Sequence, residues 1–290
     1  MIQDLLALCQ DHFGAGWLAV HADTSSGDPL GPLLFALALQ PVLQQLSSTP
    51  GLDLSFSYLD DFVLAGDQAA VSSAIAVLKD SAAALGLKLN MSKCELVPAA
   101  PGGSGINWDL FDQSMPRKLD SCFKLLGAPV GSAEYCQALT AKRAAKVQDS
   151  LDAIGRLPDP QVALALLRSC ASFGKLVFAA RATPFDVHQE QLLTFDAAVR
   201  RCFEQFSGLH PDDTQWLLAT LATKAGGLGL RSLSRHNSAA YLASRSCCHQ
   251  LCQALDAQHV WEVGDPTSAA HKAALHTNSL AGAAAVVPSP

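Results

Sequence analysis

The chain has no excess of positive charge. Twenty Lys and Arg stand against 26 Asp and Glu, a formal charge of -6 over 290 residues, which argues against an autonomous, non-specific nucleic-acid binder and leaves room for a local basic groove. It has no repeated cysteine spacing either. Nine cysteines, at 9, 94, 122, 136, 170, 202, 247, 248 and 252, are odd in number and argue against a complete disulfide framework; reduced thiols in an intracellular protein, nuclear or cytoplasmic, are the expectation. The opening MIQDLLALCQDHFG carries Asp4 and no basic flank, so it does not read as a secretory signal. No uninterrupted apolar run nears the roughly 20 residues of a membrane span. The richest is LLFALAL at 33–39, and no membrane partner is expected.

What the chain does have is core-forming material. An apolar fraction of 49% is enough for one large domain or two modest ones. Residues 1–13 read as a short helix stopped at Gly14. In GDPLGPLLFALALQPVLQQLS, 27–47, Asp28 can cap, Pro29 suits a first turn, and Phe35, Leu39 and Leu43 recur at helical spacing, with a bend expected near Pro41. LDLSFSYL, 52–59, alternates as a half-buried strand, and FVLAG, 62–66, is a second apolar run ended by glycine. Val71, Ile75, Leu78, Ala82 and Leu85 mark an amphipathic helix stopped at Gly86. LKLNMSKCELV, 87–97, reads as another strand, 98–107 as a loop, and FKLLGAPVG, 123–131, as a short hairpin or tight turn with Leu125 and Leu126 in the core. Helical runs follow at 133–154, 159–182, 187–207 and 236–259, and the chain from Gly264 reads as loose.

Asp60 and Asp61 lie between the two strands with apolar residues pressing on both sides. A solvated turn is the plain explanation. The chemical one is a magnesium site, because that hard ion takes oxygen ligands and is held by one or two carboxylates with substrate phosphates. Adjacent strand residues face opposite ways, so one acid of the pair is the stronger ligand candidate.

Four stretches carry a resemblance in their order and spacing: GDPLGPLLFALALQ (27–40), SYLDDFVLAG (57–66), LGLKLNMSKCEL (85–96) and KLLGAPVG (124–131). Together they resemble the later palm motifs of reverse transcriptases, those of non-LTR retrotransposons in particular, and 157–184 and 226–244 resemble the thumb and following region. The implied fold is α+β: a partial polymerase palm, an antiparallel sheet with packed helices, followed by a helical thumb-like region. The segments would be a helix and linker at 1–23, palm at 24–131, thumb-like region at 132–263 and a flexible tail at 264–290.

By that resemblance Asp60 and Asp61 are the metal-binding and catalytic acids, with Asp60 the direct ligand. Magnesium, or manganese in its place, is the implied cofactor. Tyr58 would pack or hydrogen-bond near the primer end, and Lys93, a further catalytic residue by the resemblance, would lie near the incoming triphosphate and protonate or neutralise the pyrophosphate. Gly27 would let backbone approach the template, and Ser26 stands where the family usually carries a longer glutamine. KLLGAPVG, with Leu125 and Gly127, resembles the hairpin that grips the primer. RNA template and DNA primer are the implied partners.

The same family uses an aspartate from an earlier strand to bridge both metal ions. The acids before Gly27 are Asp4, Asp11 and Asp23, and none lies in a strand-like run followed by a helix. The expectation is a remnant that is inactive alone and holds metal weakly, with a protein partner covering the open palm edge. An active enzyme completed by a missing segment and a domesticated RNA-binding scaffold are the alternatives. Lys142, Arg143, Lys146, Arg168, Lys175 and Arg181 are candidates for phosphate contact. Cys247, Cys248 and Cys252 read as thiols on a helix and not as a zinc finger.

Overall fold

In the computed structural model of the protein, residues 31–58, 61–260 and 262–281 are described. The chain divides into two compact units, Met1–Leu119 and Asp120–Pro290.

In the first unit, helix α1 (Gly31–Ser47) leads to strands β1 (Leu52–Tyr58) and β2 (Asp61–Gly66) and then helix α2 (Gln68–Ala84). Leu34, Leu37, Leu39, Val42 and Leu46 are the buried side chains of α1. Of the expected stripe only Leu39 is buried, while Phe35 and Leu43 are half-buried. Pro41 sits inside the helix on its exposed side. There its missing N–H and its ring fall outside the packed face. Helix α2 buries Ala70, Ala74, Leu78 and Ala82, a ridge at four-residue spacing whose alanines let neighbouring elements come close. Val42, Leu46, Ala74 and Leu78 make the core of this unit, with Leu52, Phe62, Leu64, Val77, Leu85 and Leu89 packed around them.

Strands β1 and β2 pair antiparallel from Leu52↔Gly66 to Tyr58↔Asp61, with a register irregularity between Leu52 and Leu54. Gly66 has φ 151°, and a Cβ there would lie 2.3 Å from the Gly51 carbonyl oxygen. Any larger residue would push the start of β1 away and disturb the register.

The segment 87–97 is not the strand its alternation suggests. Residues 87–90 have no regular structure, Met91–Lys93 is a single 3₁₀ turn, and Leu96 makes an isolated bridge to Arg117. The cause is local. The Asn90 carbonyl accepts from Lys93 N at 3.0 Å and Cys94 N at 3.3 Å, and Ser92 Oγ bonds Asn90 Oδ1 at 2.8 Å. An Asn and a Ser thus supply a turn that outcompetes ladder pairing. The long loop that follows is tied to α2 by Gln68, whose Oε1 accepts from Asn107 N at 2.7 Å, and by Ser72 Oγ donating to the Leu110 carbonyl at 2.8 Å.

The second unit begins with the hairpin β3 (Phe123–Leu125) and β4 (Ala128–Val130). This hairpin, which closes the expected palm segment 24–131, packs on helices of the second unit. Helices α3 (Ala133–Gly155), α4 (Pro160–Leu166), α5 (Val177–Ala182), α6 (Phe185–Ser207), α7 (Asp213–Thr220), α8 (Leu233–Leu255) and α9 (Ala269–Ala281) follow. Their starts carry the expected chemistry: Ser132 Oγ accepts from Tyr135 N, Asp159 caps α4 with Pro160 in its first turn, and Asp212 and Gln215 form a capping box on α7.

The expected helix over 159–182 is broken. A π turn at Leu167–Ala171 and a 3₁₀ turn at Phe173–Lys175 separate α4 from α5. Pro160–Ala182 is long and apolar enough by composition to cross a membrane, yet Ala163, Leu167, Ala171, Leu176 and Ala180 sit in the main core with Val147, Leu151, Leu192, Phe195, Phe203 and Leu233. The chain after Gly264, read from sequence as loose, contains α9. Its Ala270, Ala273 and Ala274 are buried with Tyr241, Leu242 and Val263.

Three helices meet on one buried histidine. His188 interrupts α6 with φ -130° and ψ 26° and is fully buried. Its Nδ1 lies 3.1 Å from Thr140 Oγ1 on α3 and its Nε2 lies 3.0 Å from Asn237 Oδ1 on α8. Asn237 Nδ2 donates to the Thr183 carbonyl, so Oδ1 is the acceptor and His188 Nε2 carries the proton. Gln137 Nε2 donates to the Val187 carbonyl at the kink, at 2.8 Å.

Candidate functional site

The β1–β2 connection carries the candidate site. Tyr58 closes β1 and Asp61 opens β2, paired directly across the strands. Tyr58 is 60% exposed and Asp61 is exposed, while Phe56, Phe62, Val63 and Leu64 behind them are partly buried. The apolar flanks anchor the strands, and the polar end is presented to solvent. Asp60 lies outside the described residues, as do Ser26, Gly27 and the acids Asp4, Asp11 and Asp23.

Asp61 offers an exposed carboxylate, the donor type that magnesium takes. Among the described residues there is no group of three or more His, Cys, Asp or Glu side chains placed to hold a metal ion. Lys93 is exposed and closes the 3₁₀ turn at Met91–Lys93. No ion pair among the described residues joins it to Asp61.

Leu125 and Gly127 belong to the β3–β4 hairpin in the second unit. Leu125 is half-buried and Leu126 is 44% exposed, so the expectation that both fill the core is corrected. Leu126 sits at the turn with φ 46°, where its side chain projects from the hairpin instead of into it. Of the basic candidates on α3, Lys142 and Lys146 are exposed. Arg143 donates to the Gly127 carbonyl and stands 6.0 Å from the centre of the Phe178 ring. Cys247 and Cys248 are exposed on α8, with Cys252 partly buried one turn on.

Residues 1–130 match the family described as Reverse transcriptase (RNA-dependent DNA polymerase). This part of the chain is a reverse-transcriptase-like domain. The match contains the Tyr58–Asp61 strand pair, Lys93, Leu125 and Gly127. Among the described residues, two small antiparallel sheets with packed helices give a mixed α/β arrangement consistent with such a domain. No curated protein and no solved structure matches the chain.

Two features escaped the sequence reading. His188 is a lone histidine within an amphipathic run, and nothing in its spacing marks it. Asp196 is another: its carboxylate accepts from Ser232 Oγ at 2.7 Å, Leu233 N at 2.9 Å, Ser234 N at 3.0 Å and Ser234 Oγ at 2.7 Å. It caps α8 from a distant helix, and long-range caps have no local motif.

Proposed function

We propose that this chain carries the later palm and a thumb-like region of a reverse transcriptase of the non-LTR retrotransposon type. The reaction class is template-directed transfer of a nucleotide from a deoxynucleoside triphosphate to a primer 3′ hydroxyl. The observation that carries this reading is the antiparallel pair with Tyr58 opposite Asp61, lying within the stretch that matches the reverse transcriptase family.

Asp60 and Asp61 would hold magnesium, which when bound lowers the cost of ionising the attacking hydroxyl and of releasing pyrophosphate. The chain's own contribution is positional. Strand β2 holds Asp61 at a solvent-facing end, Tyr58 limits where the primer terminus can rest, and Lys93 offers a cation to the departing phosphates. The Leu125–Ala128 turn and the exposed Lys142 and Lys146 would follow the nucleic-acid strand.

We also propose that these 290 residues do not extend primers by themselves. A two-metal site needs carboxylates enough to balance both ions, and a paired acid at one hairpin end supplies only part of that set. Primer extension on an RNA template with magnesium and with manganese tests this. No incorporation above an Asp60→Ala/Asp61→Ala control is expected, and robust incorporation would overturn it. Retention of an RNA–DNA duplex by the same double variant would separate nucleic-acid binding from catalysis.

A further inference from the structure

The turn between β3 and β4 breaks a local rule. Leu125 pairs with Ala128, so Leu126 and Gly127 form a two-residue connection, with φ of 46° and 89°. Positive φ at both positions is the type I′ geometry, which favours Asn-Gly. A leucine there is strained, because its Cβ crowds the backbone in the left-handed region. Burial offsets this only in part, because Leu126 is 44% exposed. Strain of this kind persists where surroundings hold the backbone, and it collects at sites that touch ligands.

Arg143 supplies the hold. Its Nη2 donates to the Gly127 carbonyl, and its guanidinium faces the Phe178 ring of α5 at 6.0 Å, inside the range of a cation–π contact. A Cβ at Gly127 would lie 3.5 Å from the Phe178 ring edge and 3.7 Å from Arg143 Nη2, so the turn lies close to both ring and guanidinium. Lys124 on β3 and Leu126 in the turn, two residues apart, are both exposed. A cation beside an apolar side chain matches the two surfaces of a nucleotide, its phosphate and its sugar–base face.

We propose that Arg143 is a positioning residue and not a phosphate ligand: it clamps the turn so that Leu126 stands in a fixed, exposed place and touches the nucleic-acid strand. This rests on the reverse-transcriptase reading of the chain. A phosphate ligand and a clamp respond differently to substitution. Removing a phosphate contact lowers the salt dependence of binding by about one unit of slope, whereas losing a clamp weakens binding with the slope unchanged. Lysine keeps the charge and loses the planar fork that bridges a carbonyl and a ring.

The test is binding of an RNA–DNA template–primer duplex to the full 290-residue chain across a salt series, read by fluorescence anisotropy. Arg143→Ala and Arg143→Lys should both weaken binding about tenfold with an unchanged slope, while Lys146→Ala should flatten the slope. Leu126→Asn relieves the turn, so it should raise the thermal midpoint while weakening binding by about tenfold. Hydrogen exchange at residues 125–128 should speed up in Arg143→Ala and stay normal in the α6–α8 core. Wild-type affinity in Arg143→Lys with a flattened slope in Arg143→Ala would overturn the clamp, as would unchanged exchange at the turn. Wild-type affinity in Leu126→Asn would overturn the contact. If the wild-type chain binds no duplex at about 50 mM salt, the functional reading fails and the Leu126 contact with it, and the exchange result alone decides the clamp.

Discussion

His188 Nε2 lies 3.0 Å from Asn237 Oδ1, and this contact joins the kink of α6 to the N-terminal part of α8. Burial pushes the His188 imidazole below its ordinary range, against the upward pull of the bonds to Asn237 and the Thr183 carbonyl and of the Asp186 charge. Burial also lowers His276, helped by Arg235; that ring stacks on Phe185 at 4.4 Å and bonds Ser238 at 2.9 Å. Both groups bind protons more readily in the unfolded chain, where histidine titrates near pH ~6.5.

Stability from these two histidines is therefore complete above about pH 6.5 and declines as pH falls below it toward the folded-state values. Urea midpoints measured between about pH 5 and 8 should drop on the acid side. His188→Gln keeps an amide partner for the network without titrating, so it should flatten that drop while lowering stability at neutral pH. An acid limb of unchanged steepness in His188→Gln would remove His188 as its source.

Asp196→Ala should cost about 2–3 kcal/mol of stability, since it strands four donors at the start of α8 and removes a helix cap. Asp196→Asn retains one acceptor oxygen and should cost less. Chemical denaturation distinguishes them, and equal effects would mean that packing, not capping, dominates at this position.

The cysteines divide by environment. Cys170, Cys247 and Cys248 are exposed, and Cys122, Cys136 and Cys202 are buried. Burial raises Cys202 to about 11, with the Asp152 charge adding to it, so its thiolate is scarce at neutral pH. Pulsed alkylation with mass spectrometry should label the exposed three first and reach Cys202 only on unfolding. Early labelling of Cys202 would indicate that the α3–α6 contact opens locally.

Much of the first unit was legible because its signals are local. The alternation of Leu52 to Tyr58 and the glycine at 66 follow from one element's own period, whereas in α2 only Leu78 and Ala82 of the expected stripe are buried, and Ala70 and Ala74 take the places expected for Val71 and Ile75. The 87–97 strand was misread because alternation cannot reveal that Asn90 and Ser92 satisfy the backbone by themselves. Helix α9 was missed because its buried face is alanine, which gives little apolar contrast, and its packing with Tyr241, Leu242 and Val263 helps to stabilise it. Arg143 read as one of three equivalent cations on α3. Its carbonyl and ring partners come from Gly127 and Phe178, 16 and 35 positions away, and no spacing rule connects them.

Primer extension by the purified chain is the most direct measurement of the catalytic claim. With an annealed RNA–DNA template–primer, deoxynucleotides and magnesium or manganese, product should not rise above that of the Asp60→Ala/Asp61→Ala variant. Processive extension by the wild-type chain, lost in that variant, would contradict it and show that these residues hold a complete metal site.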